Sequence, residues 1–196
     1  MAQTLRDLLI QRAARLQERP ALTTPEWGTL SYGQLRQRVE GIALGLLAGS
    51  RAPAWYSATG SAWDWVAELA VAASGGLWDP LGQPLSPEVL GGPRFNHDSG
   101  RGPYHALEQS LSEATPFAVG LTQGQWLTRL HRWNDRQGWD HDTQLALPLD
   151  RLADAAVRAA LWCALFAGAH ATLMPPVRQR PTWDPAPFLD LGLRLP

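Results

Sequence analysis

The sequence predicts an α/β protein: a largely parallel sheet with flanking helices. Three observations carry the prediction. Apolar residues recur at helical spacing in several segments, short extended runs bounded by glycine and proline lie between them, and the two kinds of segment alternate along the chain. With 45% hydrophobic residues in a length of 196, the chain can bury a substantial core.

Four helix starts are marked by a capping pair at a spacing of three: Thr4 with Asp7, Ser31 with Gln34, Ser61 with Asp64, and Thr122 with Gln125. Behind the first, Leu5, Leu8, Leu9, Ala13 and Leu16 form one apolar stripe; behind the second, Leu35, Val39, Ile42, Leu46 and Leu47 form another. The intervening ALTTPEWGTLSY is expected to be a hairpin, because Pro-Glu-Trp-Gly separates two extended pieces. APAWYSA is expected to be a strand, SAWDWVAELAVAASG a helix closed by Gly75, and GLWDPLG a short buried strand stopped by Pro80. The polar, glycine-rich GGPRFNHDSGRG then links two halves. In the second half, PFAVGLT is expected to be a strand. A helix follows from Thr122 to about Gly138, with Trp126, Leu130 and Trp133 on one face. TQLALPL forms a strand, Leu152–Ala167 a helix and HATLMPP a strand, and the proline-rich tail is irregular. The organisation is a single domain over residues 1–196: a first α/β half at 1–90, a loop and link at 91–109, a second half at 110–174 and the tail at 175–196.

Charge and composition exclude several functions. Seventeen basic and eighteen acidic residues give a net charge of -1 without runs, which removes the electrostatic reason to bind nucleic acid or an anionic membrane. Every basic residue is arginine. No Schiff-base chemistry and no phosphate-binding lysine can therefore come from this sequence. Cys163 is the sole cysteine and lies in an apolar segment, so it reads as a small buried hydrophobe in a chain suited to a reducing cytoplasm. Asp7 and nearby arginines break any signal-peptide pattern, and the apolar run Ala159–Ala169 is too short to span a bilayer. The five histidines never pair at i, i+4, so no metal site is expected, and no cofactor is implied. HRWNDRQGWDHD reads as a solvated helix end and loop. No independent catalytic motif is present.

Three blocks of this sequence resemble the N-terminal part of the adenylate-forming superfamily, the acyl- and aryl-CoA synthetases and related AMP-binding ligases. They are TLRDLLIQRAARLQERPALTTPEWGTLSYGQLRQRVEGIALGLL, SAWDWVAELAVAASGGLWDPLGQPLSPEVL and LALPLDRLADAAVRAALWCALFAGAHATLMPP. The resemblance covers most of the chain and implies the same α/β architecture.

That family's phosphate loop has the form T-S-G-T-T-G-x-P-K-G, followed by a short strand and L-T-H. Anchored on Leu121 and Thr122, the stretch SLSEATPFAVGLTQGQW lies on it without gaps. Ser110 falls on the serine, Ser112 on a threonine and Pro116 on the proline. Leu111, Ala114 and Ala118 replace the glycines, Glu113 replaces a threonine and Phe117 the lysine. Such a loop works by bringing main-chain N–H groups against phosphate oxygens, which needs residues without a Cβ. Glu113 adds a negative charge that would oppose a polyphosphate by about 1–4 kcal/mol at contact distance. An aromatic-histidine pair of the family is also replaced, by Asp150 and Arg151.

The sequence ends at Pro196, before the family's later nucleotide-binding motifs and catalytic lysine. The resemblance therefore implies a truncated, degenerate member that has lost adenylation and acts as a binding or interaction module. Two alternatives are the acid-binding part of a split synthetase completed by a separate polypeptide and a carrier of a small apolar carboxylic acid. Ten tryptophans and the face left open by truncation imply a homodimer or a protein partner.

Overall fold

Thr4 opens the first helix as its spacing predicts: its hydroxyl accepts the Asp7 N–H (3.1 Å), and the Asp7 carboxylate accepts the Thr4 N–H (3.0 Å). The computed structural model describes residues 2–49, 60–77, 111–118, 120–175 and 183–193. The expected strand at 52–58, nearly all of the one at 76–82, the 91–109 link and Ser110 lie outside these described residues.

Helix α1 (Leu5–Leu16) buries the whole predicted stripe. Strands β1 (Pro20–Thr24) and β2 (Gly28–Ser31) form the expected antiparallel hairpin, turned at Gly28 with φ 74°. Helix α2 (Tyr32–Gly49) begins with reciprocal Ser31 and Gln34 bonds and packs on α3 (Trp63–Ala73). At the start of α3, Ala62 rather than Ser61 holds the cap position. The Ser61 hydroxyl still accepts the Trp63 N–H at this helix start (3.1 Å), and it donates to Glu26 in the hairpin turn (2.9 Å), which ties that turn to the helix.

The stretch expected to be one strand, PFAVGLT, is folded back on itself. Strands β3 (Pro116–Ala118) and β4 (Leu121–Thr122) pair antiparallel, because Gly120 takes φ 71° and lets the chain reverse. Helix α4 (Gln123–Gln137) has the predicted capping box at Thr122 and ends at Gly138 in the left-handed region, with Trp126, Leu130 and Trp133 buried. Strand β5 (Gln144–Pro148) follows. The next helix starts later than expected. Leu149–Arg151 form a single 3-10 turn, and α5 (Ala155–Ala167) begins only after Asp154, which is bound by the Arg151 guanidinium at 2.6 Å.

Strand β6 (His170–Met174) pairs parallel to both β5 and β1. The main sheet runs β2-β1-β6-β5, largely parallel with one antiparallel edge. Helix α5 is the crossover between parallel neighbours β5 and β6, as a parallel pair requires.

The tail is also more regular than expected. Residues Ala186–Leu189 form a short helix, α6, with prolines at its start, and Phe188, Leu191 and Leu193 are buried. Phe188 stacks on Trp133 (5.3 Å between centroids), and the Trp133 indole N–H donates to the Pro187 carbonyl at 2.7 Å. The segment HRWNDRQGWDHD is thus only partly solvated, because Trp133 anchors the returning tail.

One apolar cluster draws on α1–α5, the sheet, β3–β4 and the tail. Cys163 is inside it, and burial pushes its thiol well above the usual range. Among the described residues, Leu189 is the large hydrophobic side chain left exposed, and no helix is long and apolar enough to cross a membrane.

Candidate phosphate-loop site

Residues 112–115 form a turn against the first turn of α4. The Thr115 N–H donates to the Ser112 carbonyl (3.0 Å), and the Ser112 N–H to the Thr115 hydroxyl (2.9 Å). The turn's own carbonyls then accept from the helix: Gln123 N–H on Thr115 (2.8 Å) and Gly124 N–H on Glu113 (3.0 Å). The capping box takes two more, with the Gln125 N–H on the Thr122 hydroxyl and the Thr122 N–H on the Gln125 amide oxygen (3.0 Å). A helix start attracts anions through main-chain N–H groups that lack partners. Here those of residues 122–125 are satisfied within the chain.

The close fit of turn and helix has a steric signature. A Cβ built on Gly124 would stand 2.7 Å from the Cβ of Glu113, so the glycine is what lets the turn lie flat on α4. Ser112, Glu113 and Pro116 remain at the surface around this contact.

Phe117 points the other way. Its side chain is 0% exposed, stacked on Trp126 (5.8 Å, 20°) and edge-on to Trp162 (5.3 Å, 85°). The structure therefore brings Ser112, Glu113 and Pro116 together at the helix start and places Phe117 in the core.

Arg151 is committed to Asp154 and lies over the Trp183 ring at 5.3 Å. Asp150 is exposed beside it.

Two polar groups beneath the loop escaped the sequence reading. Gln123 stands where the family pattern has its histidine, and it is 0% exposed. Its amide N–H donates to the Ala72 carbonyl at the end of α3 (2.9 Å), and its amide oxygen accepts the Leu5 N–H at the start of α1 (2.9 Å). Its position directly after Leu-Thr was the available signal.

The second group is a buried ion pair between Glu68 on α3 and Arg158 on α5. The Trp162 indole N–H donates to the other Glu68 oxygen at 2.8 Å. Burial pushes the Glu68 carboxyl up, while Arg158 and Trp162 pull it down, and burial is the larger effect. Isolated charges inside VAELAV and AAVRAAL were the visible sign. Through Trp162, this pair touches the ring cluster that receives Phe117.

No protein-family model matches the sequence, and no curated protein matches it. Solved structures do share the fold. The N-terminal subdomain of NpsA from Klebsiella oxytoca aligns with a TM-score of 0.60 at 18% identity, over 91% of this chain and 55% of that one. The same subdomain in complex with anthranilyl-AMSN aligns at 0.58 and 17% identity, over 91% and 54%. An ATP-bound RpMatB-BxBclM chimera aligns at 0.62 and 19% identity, over 100% of this chain and 48% of that one. The chain has the fold of the N-terminal subdomain of adenylate-forming enzymes and spans about half the length of these neighbours.

Proposed function

We propose that this chain is an adenylation-domain-like binding or interaction module that does not form acyl adenylates. One observation carries the reading: the N–H groups at the start of α4 are already bound by the carbonyls of Glu113 and Thr115 and by the capping box. A triphosphate would have to displace those bonds beside the Glu113 carboxylate, with no lysine anywhere in the sequence to compensate. The test is ATP–pyrophosphate exchange by the purified chain with a panel of carboxylic acids. No exchange above background is expected, and turnover would overturn the reading.

A second reading is favoured by the NpsA subdomain solved in complex with anthranilyl-AMSN. In it the chain binds a small acid, either as a carrier or as the acid-binding part of a synthetase completed by a separate polypeptide. Thermal-shift screening with fatty and aromatic acids tests the carrier. Co-purification followed by adenylate formation in the reconstituted mixture tests the split enzyme. In each reading the chain works in an assembly, as a homodimer or with a protein partner. Light scattering on the purified chain distinguishes a twofold mass from a single one.

A further inference from the structure

Helix α4 carries Arg129, Arg132 and Arg136 at spacings of three and four, so they share one exposed side, next to the stripe of its buried Trp126, Leu130 and Trp133. This side forms one wall of a cleft of about 860 Å³. The β3–β4 turn (Ala118, Gly120 and Leu121) and the returning tail from Asp190 to Leu193 form the other walls.

Most of the described arginines are committed. Arg19, Arg36, Arg151 and Arg158 stand in ion pairs, Arg12 donates to the Phe166 carbonyl, and Arg38 lies over the Trp27 and Trp63 rings. Within the cleft, Arg129 donates to the carbonyls of Leu191 (2.9 Å) and Gly192 (3.2 Å), which fixes the tail as a wall. Asp135 is held by His131 at 2.8 Å. Among the described residues, Arg132 and Arg136 have no partner, and they stand one turn apart facing the same space. Asp190 is the other carboxylate among the described lining residues, so three arginines face two aspartates there and the balance is positive.

We propose that Arg132 and Arg136 form a clamp for the phosphate group of a small phosphorylated molecule, whose body lies on Ala118, Leu121 and Leu193. A phosphomonoester carries a charge of about −1.5 to −2 at neutral pH and offers oxygens to both guanidinium forks. A monocarboxylate carries only about one negative charge and would leave the second arginine largely uncompensated. The clamp is separate from the turn at residues 112–115. Gln123 and Arg132 are nine residues apart on α4, or about 14 Å along its axis, and none of residues 112–115 lines the cleft.

The test uses the full chain, with phenyl phosphate, inorganic phosphate and benzoate titrated at low salt and followed by NMR of the arginine Nε–H and backbone amide signals. Saturable binding of phenyl phosphate is expected, about tenfold or more tighter than benzoate, with shifts at Arg132 and Arg136. The double variant R132Q/R136Q should weaken it about tenfold or more, while R15Q, an unpartnered arginine on α1, should change it less than about twofold. Both clamp residues are exposed, so circular dichroism should show the variants folded; the single variants R132Q and R136Q give an independent reading with intermediate losses. Four outcomes overturn the proposal: no saturable binding, equal affinity for benzoate, the same loss in R15Q, or shifts confined to residues 112–125.

Discussion

Phe117 separates a residue's place in a motif from its capacity to do the motif's chemistry. The family pattern puts a lysine at this position, and the structure puts the side chain between Trp126 and Trp162 with no exposed surface. Restoring the lysine would therefore not restore a cradle. Phe117→Lys removes a buried aromatic ring, at about 3–5 kcal/mol, and adds the cost of an ammonium group in an apolar site. Against a total stability of about 5–15 kcal/mol, the expected outcome is loss of the cooperative thermal transition. A folded variant that binds ATP would refute this account. The identity of residue 117 was legible in the sequence; its direction was not, because the direction depends on rings contributed by α4 and α5. His170 makes a second residue-scale prediction. Its Nε2 lies 2.8 Å from the Thr23 hydroxyl, and burial holds the imidazole below its ordinary range. As pH falls, the unfolded chain takes up this proton first. The stability contribution is thus intact above about pH 6.5 and is lost as pH falls through the lower folded value. His170→Gln should flatten the pH dependence of the urea midpoint below that point, and an unchanged profile would count against the burial.

Helix starts were the most legible elements, because a capping box is local: Thr4 with Asp7 and Thr122 with Gln125 form as their spacing predicts. The β3–β4 reversal was less legible, since a glycine inside an apolar run reads equally as strand or turn until φ is known. The tail helix was missed for a different reason. Its prolines suggested irregular chain, and the partners that order it, Trp133 and Arg129, lie more than fifty residues earlier. Gln123 shows how elements are joined at their ends. It satisfies a Leu5 N–H that α1 cannot satisfy itself and also reaches the end of α3. Gln123→Leu keeps most of the volume and removes both hydrogen bonds. It should cost about 1–3 kcal/mol for the stranded donor, read as a lower urea midpoint with an unchanged slope. A Leu variant as stable as the parent would mean that the amide only fills space.

At the scale of the molecule, the two halves visible in the chain are not two halves of the fold. Strand β1 from the first half lies between β2 and β6, and β6 belongs to the second. The Tyr32 hydroxyl donates to the Ala169 carbonyl at 2.6 Å, and Glu68 on α3 meets Arg158 on α5. With the four-stranded sheet, the core cluster and a buried charge pair all crossing the seam, neither half can lose its structure without stranding groups in the other. Unfolding should therefore be a single transition, with far-UV circular dichroism and tryptophan fluorescence superimposed. Arg158→Ala is the sharper test, because it leaves Glu68 as an uncompensated carboxylate in the core. Such a break costs about 3–5 kcal/mol. Both probes should move to lower denaturant together, since helices on both sides of the seam lose the same partner. Separate midpoints, or a shift in one probe alone, would mean that the halves are independently stable and that the Glu68–Arg158 pair is not what couples them.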